Sequence, residues 1–98
     1  EQLPAHGVYV TCVRSARLEG PRLGLTNVGI KPTFAGLSLT VETHLPGFDG
    51  DLYGARLELG FRHRIRGERA FPDRSALVDQ IASDVAEGKR WWDAHPVS

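Results

Sequence analysis

Ninety-eight residues suffice for one small domain with a single core. Twelve lysines and arginines balance 12 aspartates and glutamates, so bulk charge makes no case for nucleic acid or an anionic membrane, and no apolar run approaches the ~20 residues of a membrane helix. The one cysteine, Cys12, rules out an internal disulfide and a cysteine-based zinc site.

Gly7 to Val13, GVYVTCV, is predicted as the first strand, β-branched, aromatic and apolar on both faces, hence central in its sheet. Cys12 shares phase with Val8 and Val10 and is expected to be a buried structural thiol. Residues 14–21 form a polar connection. Arg22 to Val28 is the second strand, with Gly24 marking a bulge or a close approach. Residues 29–36, GIKPTFAG, read as a loop punctuated by Gly, Pro and Gly. Asn27, Lys31 and Thr33 put an amide, a cation and a hydroxyl close together. That set could contact a phosphate, but by itself it reads first as an ordinary turn with a solvated lysine. The spacing is not that of a Walker A loop.

Leu39 to Leu45 alternates as a third strand. Leu39, Val41, Thr43 and Leu45 share one face; Thr40, Glu42 and His44 share the other. Pro46-Gly47 and Asp49-Gly50-Asp51 then make a turn. A carboxylate mid-strand beside such a turn suits proton transfer, against the plainer reading of a solvated strand residue. Tyr53 to His63 is predicted as the fourth strand, with Tyr53, Ala55, Leu57, Leu59 and Phe61 on its buried face. Residues 62–69, RHRIRGER, cluster arginines near Phe71, a set suited to phosphate or a planar ring and equally to a solvated strand end.

Pro72-Asp73 opens the one helix, with Asp73 as N-cap and Ala76 where a full capping box takes glutamate. Leu77, Val78, Ile81, Ala82, Val85 and Trp92 form an apolar stripe expected to pack as core. Gly88 costs about 1 kcal/mol against alanine, and Lys89-Arg90 suit the C-terminal dipole. His95 to Ser98 reads as a fraying tail. Four strands with short connections and one helix predict an all-β-dominated fold, a small antiparallel barrel closed over by a C-terminal α-helix. His6, His44, His63 and His95 are scattered, with no HExxH, GxSxG or GxGxxG motif.

Four blocks in order, NVGIKPTF at 27–34, VETHLPGFDGDLYG at 41–54, IRGERAF at 65–71 and the helical LVDQIASDV, resemble the riboflavin kinase domain. In bacteria this domain usually forms the C-terminal half of a bifunctional riboflavin kinase/FAD synthetase, so an adenylyltransferase domain is the implied neighbour. The resemblance implies a six-stranded Greek-key barrel with a C-terminal helix, and transfer of the ATP γ-phosphate to the ribityl hydroxyl of riboflavin, giving FMN and ADP. Glu42 would then be the general base. Leu45 and Tyr53 would line the nucleotide pocket, and Arg66, Arg69 and Phe71 would border the flavin. The loop carrying Asn27, Lys31, Pro32, Thr33 and Phe34 would be a flap.

ATP and Mg2+ are the implied co-substrate and metal. The family's Pro-Thr-Ala-Asn motif, which holds the metal, is expected upstream of Leu3-Pro4, so no metal ligand is assigned within these residues. Residues 1–98 therefore read as a riboflavin kinase domain truncated at its N-terminus, weakly active or inactive alone and left with an unpaired strand edge that invites self-association. The absence of methionine and the start at EQLPAHG agree with a piece of a longer polypeptide. Gly67 departs from the family's usual proline and is expected to loosen its flap. No leading signal is visible, and a cytoplasmic location without membrane or nucleic-acid partners is expected. The alternative is a non-catalytic flavin- or nucleotide-binding barrel.

Overall fold

The first strand, β1 (Gly7–Arg14), lies in the middle of the sheet in the computed structural model, which describes residues 5–96. It pairs antiparallel with β2 (Arg22–Thr33) on one side and β4 (Glu58–Arg66) on the other. The third strand, β3 (Gly36–His44), pairs antiparallel with β2, giving the order β3-β2-β1-β4. Three hairpin-linked strands followed by a fourth that returns beside the first make a Greek key. Helix α1 (Arg74–Ala94) lies against β1, β2 and β4.

The apolar character of GVYVTCV on both faces does make it the core strand. Val8, Tyr9, Val10, Cys12 and Val13 are all buried, joined by Leu25 and Val28 from β2. The buried hydroxyls of Thr11 and Thr26 and the half-buried one of Thr43 satisfy one another across three strands at 2.9 and 2.8 Å. Gly24 is the close approach its position suggested: a Cβ there would lie 2.6 Å from both Thr11 Oγ1 and Val13 Cγ2.

Several expectations are corrected. The 29–36 loop is mostly strand: β2 runs on to Thr33, and Phe34-Ala35 alone turn the chain before Gly36. Pro32 is tolerated because β1 stops pairing at Val28, leaving β2 only β3 as partner beyond it. The fourth strand begins at Glu58, not Tyr53, and continues to Arg66. Asp51 Oδ1 accepts the Tyr53 N–H at 2.8 Å, Ala55 N–H donates to the Leu52 carbonyl at 2.8 Å, and Gly54 adopts φ +77°. These local bonds compete with the strand ladder and win.

The barrel is not closed. Among the described residues the sheet keeps two free edges, β3 and β4, and small Greek-key barrels take about five strands to close even partly. The helical stripe is core only in part. Asp73 caps the helix as expected, accepting the Ala76 N–H at 2.8 Å. However, the residues of α1 that bury against the sheet are Asp84 and Gly88, while Leu77, Val78 and Ile81 stay 39–55% exposed. Gly88 does not end the helix but lets it approach: a Cβ would lie 2.8 Å from Leu25 Cδ2. The helix continues past Lys89-Arg90, whose last turn carries no basic residue. His95 does not fray; it caps the helix and stacks on Trp91 at 4.1 Å. Val97 and Ser98 lie outside the described residues.

Candidate active site

One face of the sheet carries a cross-strand row, Val8–Asn27–Glu42, and beside it Val10–Leu25–His44. Side chains alternate along a strand, so the expected grouping of Glu42 and His44 on one face follows from the register. The C-terminal half of α1 covers the second row through Gly88, against Leu25 and Val10. Its N-terminal half stands off the first row. A cleft of about 590 Å³ remains between them, a size suited to a small organic ligand. Asn27, Glu42 and His44 line its sheet side; Leu77 and Ile81 supply an apolar wall; the segment after β4 contributes Arg66, Glu68, Arg69 and Phe71.

Two irregularities in the β1–β4 pairing decide which arginine reaches the cleft. Val8 faces Arg66 but Tyr9 faces Arg64; Val10 faces His63 but Thr11 faces Phe61. Ile65 and Arg62 are therefore unmatched, and strict alternation fails. Arg66 joins the cleft side. Arg64 instead donates to the His6 carbonyl at 2.8 Å, and Phe61 packs edge-on against Tyr9 at 5.3 Å.

Arg66 is held by Asp84, a carboxylate only 4% exposed. Its Nε donates to both carboxylate oxygens at 3.0 Å and its Nη2 to one at 2.8 Å, a bidentate arrangement of the strong kind. Its Nη1 donates to the Gly67 carbonyl at 3.2 Å. Gln80 Nε2 donates to Asp84 Oδ1 at 2.9 Å, and Gln80 Oε1 accepts from Arg69 Nη1 at 2.8 Å. The Arg66 and Arg69 guanidiniums each lie 5.6 Å from the Phe71 ring centroid, so the ring is held by two cations. Glu68 reaches over Gly29, where a Cβ would stand 2.5 Å from Glu68 Oε2. It also faces His6 at 3.7 Å.

The cleft thus brings together Asn27, Glu42, Arg66, Arg69 and Phe71 from three separate stretches of the chain. It does not bring in Leu45, Tyr53, Lys31, Pro32, Thr33 or Phe34. Tyr53 is 90% exposed in its turn, with its carbonyl accepting from Arg17 Nη1 at 2.9 Å. Lys31 shares the face of Asn27, but four residues along the strand set it about 13 Å away. Sequence reasoning missed Asp84, Gln80, Glu68, Leu77 and Ile81. A signal was present in the helix: positions 77, 81, 84 and 88 follow one face, and a carboxylate and a glycine interrupt it where apolar residues belong.

No three His, Cys, Asp or Glu side chains gather to hold a metal among the described residues. None of the ion pairs among the described residues involves Glu42, so its carboxylate faces the cleft uncommitted.

A Greek-key sheet crossed by one helix, with a carboxylate, two arginines and an aromatic ring lining one cleft, makes a domain with room for a small organic ligand. Comparison with known proteins narrows this class. The family model for riboflavin kinase, Flavokinase, matches residues 1–92. A bifunctional riboflavin kinase/FMN adenylyltransferase of Haemophilus influenzae is 37% identical over 93 residues, 93% of this chain and 29% of that protein. Its namesake in Escherichia coli K12 is 38% identical over 89 residues, 91% of this chain and 28% of that protein. A solved structure described as a macrolide-efflux protein from Streptococcus pneumoniae superposes with a TM-score of 0.81 at 31% identity, over 92% of this chain and 29% of that one. The chain belongs to the riboflavin kinase family. It spans under a third of the length of these relatives.

Proposed function

We propose that this chain is the flavin-phosphorylating part of a riboflavin kinase, transferring the γ-phosphate of ATP to the ribityl hydroxyl of riboflavin to give FMN and ADP. The observation that carries this reading is the cleft that Glu42 lines together with Phe71 and its two arginines. On this reading the flavin ring lies against Phe71 and the apolar wall of Leu77 and Ile81. The ribityl chain runs toward Glu42, whose carboxylate accepts the hydroxyl proton as the oxygen attacks phosphorus. Phosphoryl transfer asks the protein chiefly for positioning and charge neutralisation, which suits a pocket built from one uncommitted acid and fixed cations.

ATP is the donor, accompanied by Mg2+. Leu45 and Tyr53, outside the cleft, serve the nucleotide, and the hairpin tip from Lys31 to Phe34 serves as a flap. An FMN adenylyltransferase domain is the proposed neighbour, as in the names of the Haemophilus and Escherichia relatives. The proposed setting is the cytoplasm, and no helix among the described residues is long and apolar enough to cross a membrane.

The test is FMN formation from riboflavin, ATP and Mg2+, by this chain and by any longer form of the protein. Glu42→Gln keeps the shape but removes the proton acceptor, and kcat is expected to fall about 10²- to 10⁴-fold with little change in riboflavin KM. Undiminished turnover in that variant removes Glu42 from the reaction. Riboflavin bound without turnover in every form would favour the non-catalytic barrel.

A further inference from the structure

The end of the sheet away from the flavin cleft carries a second, open cavity of about 490 Å³. It lies between the β1–β2 connection and the stretch that leads into β4. Arg14, Ser15 and Arg17 line it from the first, Arg56 and Glu58 from the second, and the rest of its wall is alanine and glycine.

None of the three arginines joins an ion pair among the described residues. Arg14 and Glu58 stand directly opposite each other across the β1–β4 ladder, where opposite charges ordinarily attract, and they still do not close into a pair. Arg17 Nη1 donates to the Tyr53 carbonyl at 2.9 Å, which ties the hairpin to the turn ahead of β4 and leaves the other donors of that guanidinium unused. The Ser15 hydroxyl accepts the Arg17 N–H at 3.2 Å and keeps its own proton to donate. Three cations meet one carboxylate here, a local surplus of positive charge on a chain whose 12 basic and 12 acidic residues balance.

The lining also fixes what the ligand lacks. No aromatic ring and no long aliphatic side chain faces the cavity, so nothing there stacks on a flavin or a base. Guanidinium forks match phosphate oxygens two at a time. Three forks spread over two chain segments suit a run of phosphates better than a single one.

We propose that this cavity is a second ligand site, which binds a ring-free oligophosphate, pyrophosphate or triphosphate, through Arg14, Arg17, Arg56 and Ser15. The bound anion offsets the mutual repulsion of the arginines and joins the hairpin to the segment before β4, so occupancy stabilises the fold. Glu58 opposes the anion. The site shares no residue with the cleft and does not depend on the flavin reading.

The test is isothermal titration calorimetry of the chain with sodium triphosphate, without added metal and at fixed ionic strength, with circular dichroism confirming that each variant folds. One triphosphate per chain is expected, with a rise in Tm. Arg14→Met and Arg56→Met should each weaken binding several-fold, and together about tenfold or more. Glu58→Gln should tighten it several-fold, a gain that damage to the fold does not produce. Arg62→Met removes an exposed charge outside the cavity, and Arg69→Met removes one from the cleft; neither should change affinity or stoichiometry.

No binding at millimolar triphosphate, binding undiminished in the double variant, or an equal loss in Arg62→Met overturns the proposal. A loss in Arg69→Met overturns it by placing the anion in the flavin cleft. ATP bound far more tightly than triphosphate, with the excess sensitive to Arg14→Met, marks recognition of a base and overturns the ring-free assignment. Triphosphate ignored while a single-stranded oligonucleotide binds through the same arginines overturns it in favour of a nucleic-acid backbone. Each of these outcomes leaves the flavin site standing, because riboflavin binding and turnover are measured separately.

Discussion

Asp84 receives Arg66 and Gln80 while almost wholly buried, and the segment from Arg66 to Phe71 is anchored to the helix through it. Removing one member of a buried pair strands the other without solvent, which typically costs about 3–5 kcal/mol. Asp84→Ala is expected to lower unfolding free energy by that amount in urea titration. Replacing both partners, Arg66→Met with Asp84→Leu, should recover much of the loss, because no uncompensated charge is then buried. A double variant as unstable as the single one would mean that the pair's hydrogen bonds, and not the stranded charge, set the cost. Glu42 is the contrasting residue. It is exposed to the cleft and joins none of the ion pairs, so its exchange for glutamine should act on chemistry and leave stability within about 0.5 kcal/mol.

At the scale of the element, α1 shows why an apolar stripe does not by itself predict a buried face. Its 77–81–84–88 line crosses two environments, an open cleft wall and then the sheet. The helix touches the sheet where its side chains are smallest, so the glycine that weakens an isolated helix here permits the packing. Gly88→Ala should forgo the gain of about 1 kcal/mol seen in solvated helices. Because its Cβ would meet buried Leu25, the expected change is between none and a loss of about 2 kcal/mol. A clear rise in Tm would show that the helix stands off the sheet. β4 teaches a related point. Period-2 alternation located the strand but not its start, which an Asp51-centred turn delays to Glu58. Nor did it say which arginine faces the cleft, since bulges at Arg62 and Ile65 shift the phase.

On the scale of the whole molecule, the sheet of the described residues leaves β3 as a free edge whose apolar residues Leu37, Leu39 and Val41 are 75, 42 and 43% exposed. An exposed apolar edge strand is a template for pairing with another chain. Sedimentation velocity is expected to show concentration-dependent association, and Val41→Lys, on the face opposite Glu42, should suppress it without touching the cleft. A wild-type chain that is monomeric at every concentration would show the edge to be protected in some other way. Local pattern was enough for the strand-rich class, the core strand around Val10, the N-cap at Asp73 and the family's four blocks, because strand alternation, capping and turn chemistry are written over neighbouring residues. The cleft itself needed the tertiary structure. Strand register puts Asn27 beside Glu42, a bulge turns Arg66 inward, and a helix arriving from the far end of the chain brings Asp84 to meet it; contacts between residues distant in sequence are decided by packing, which no local spacing encodes.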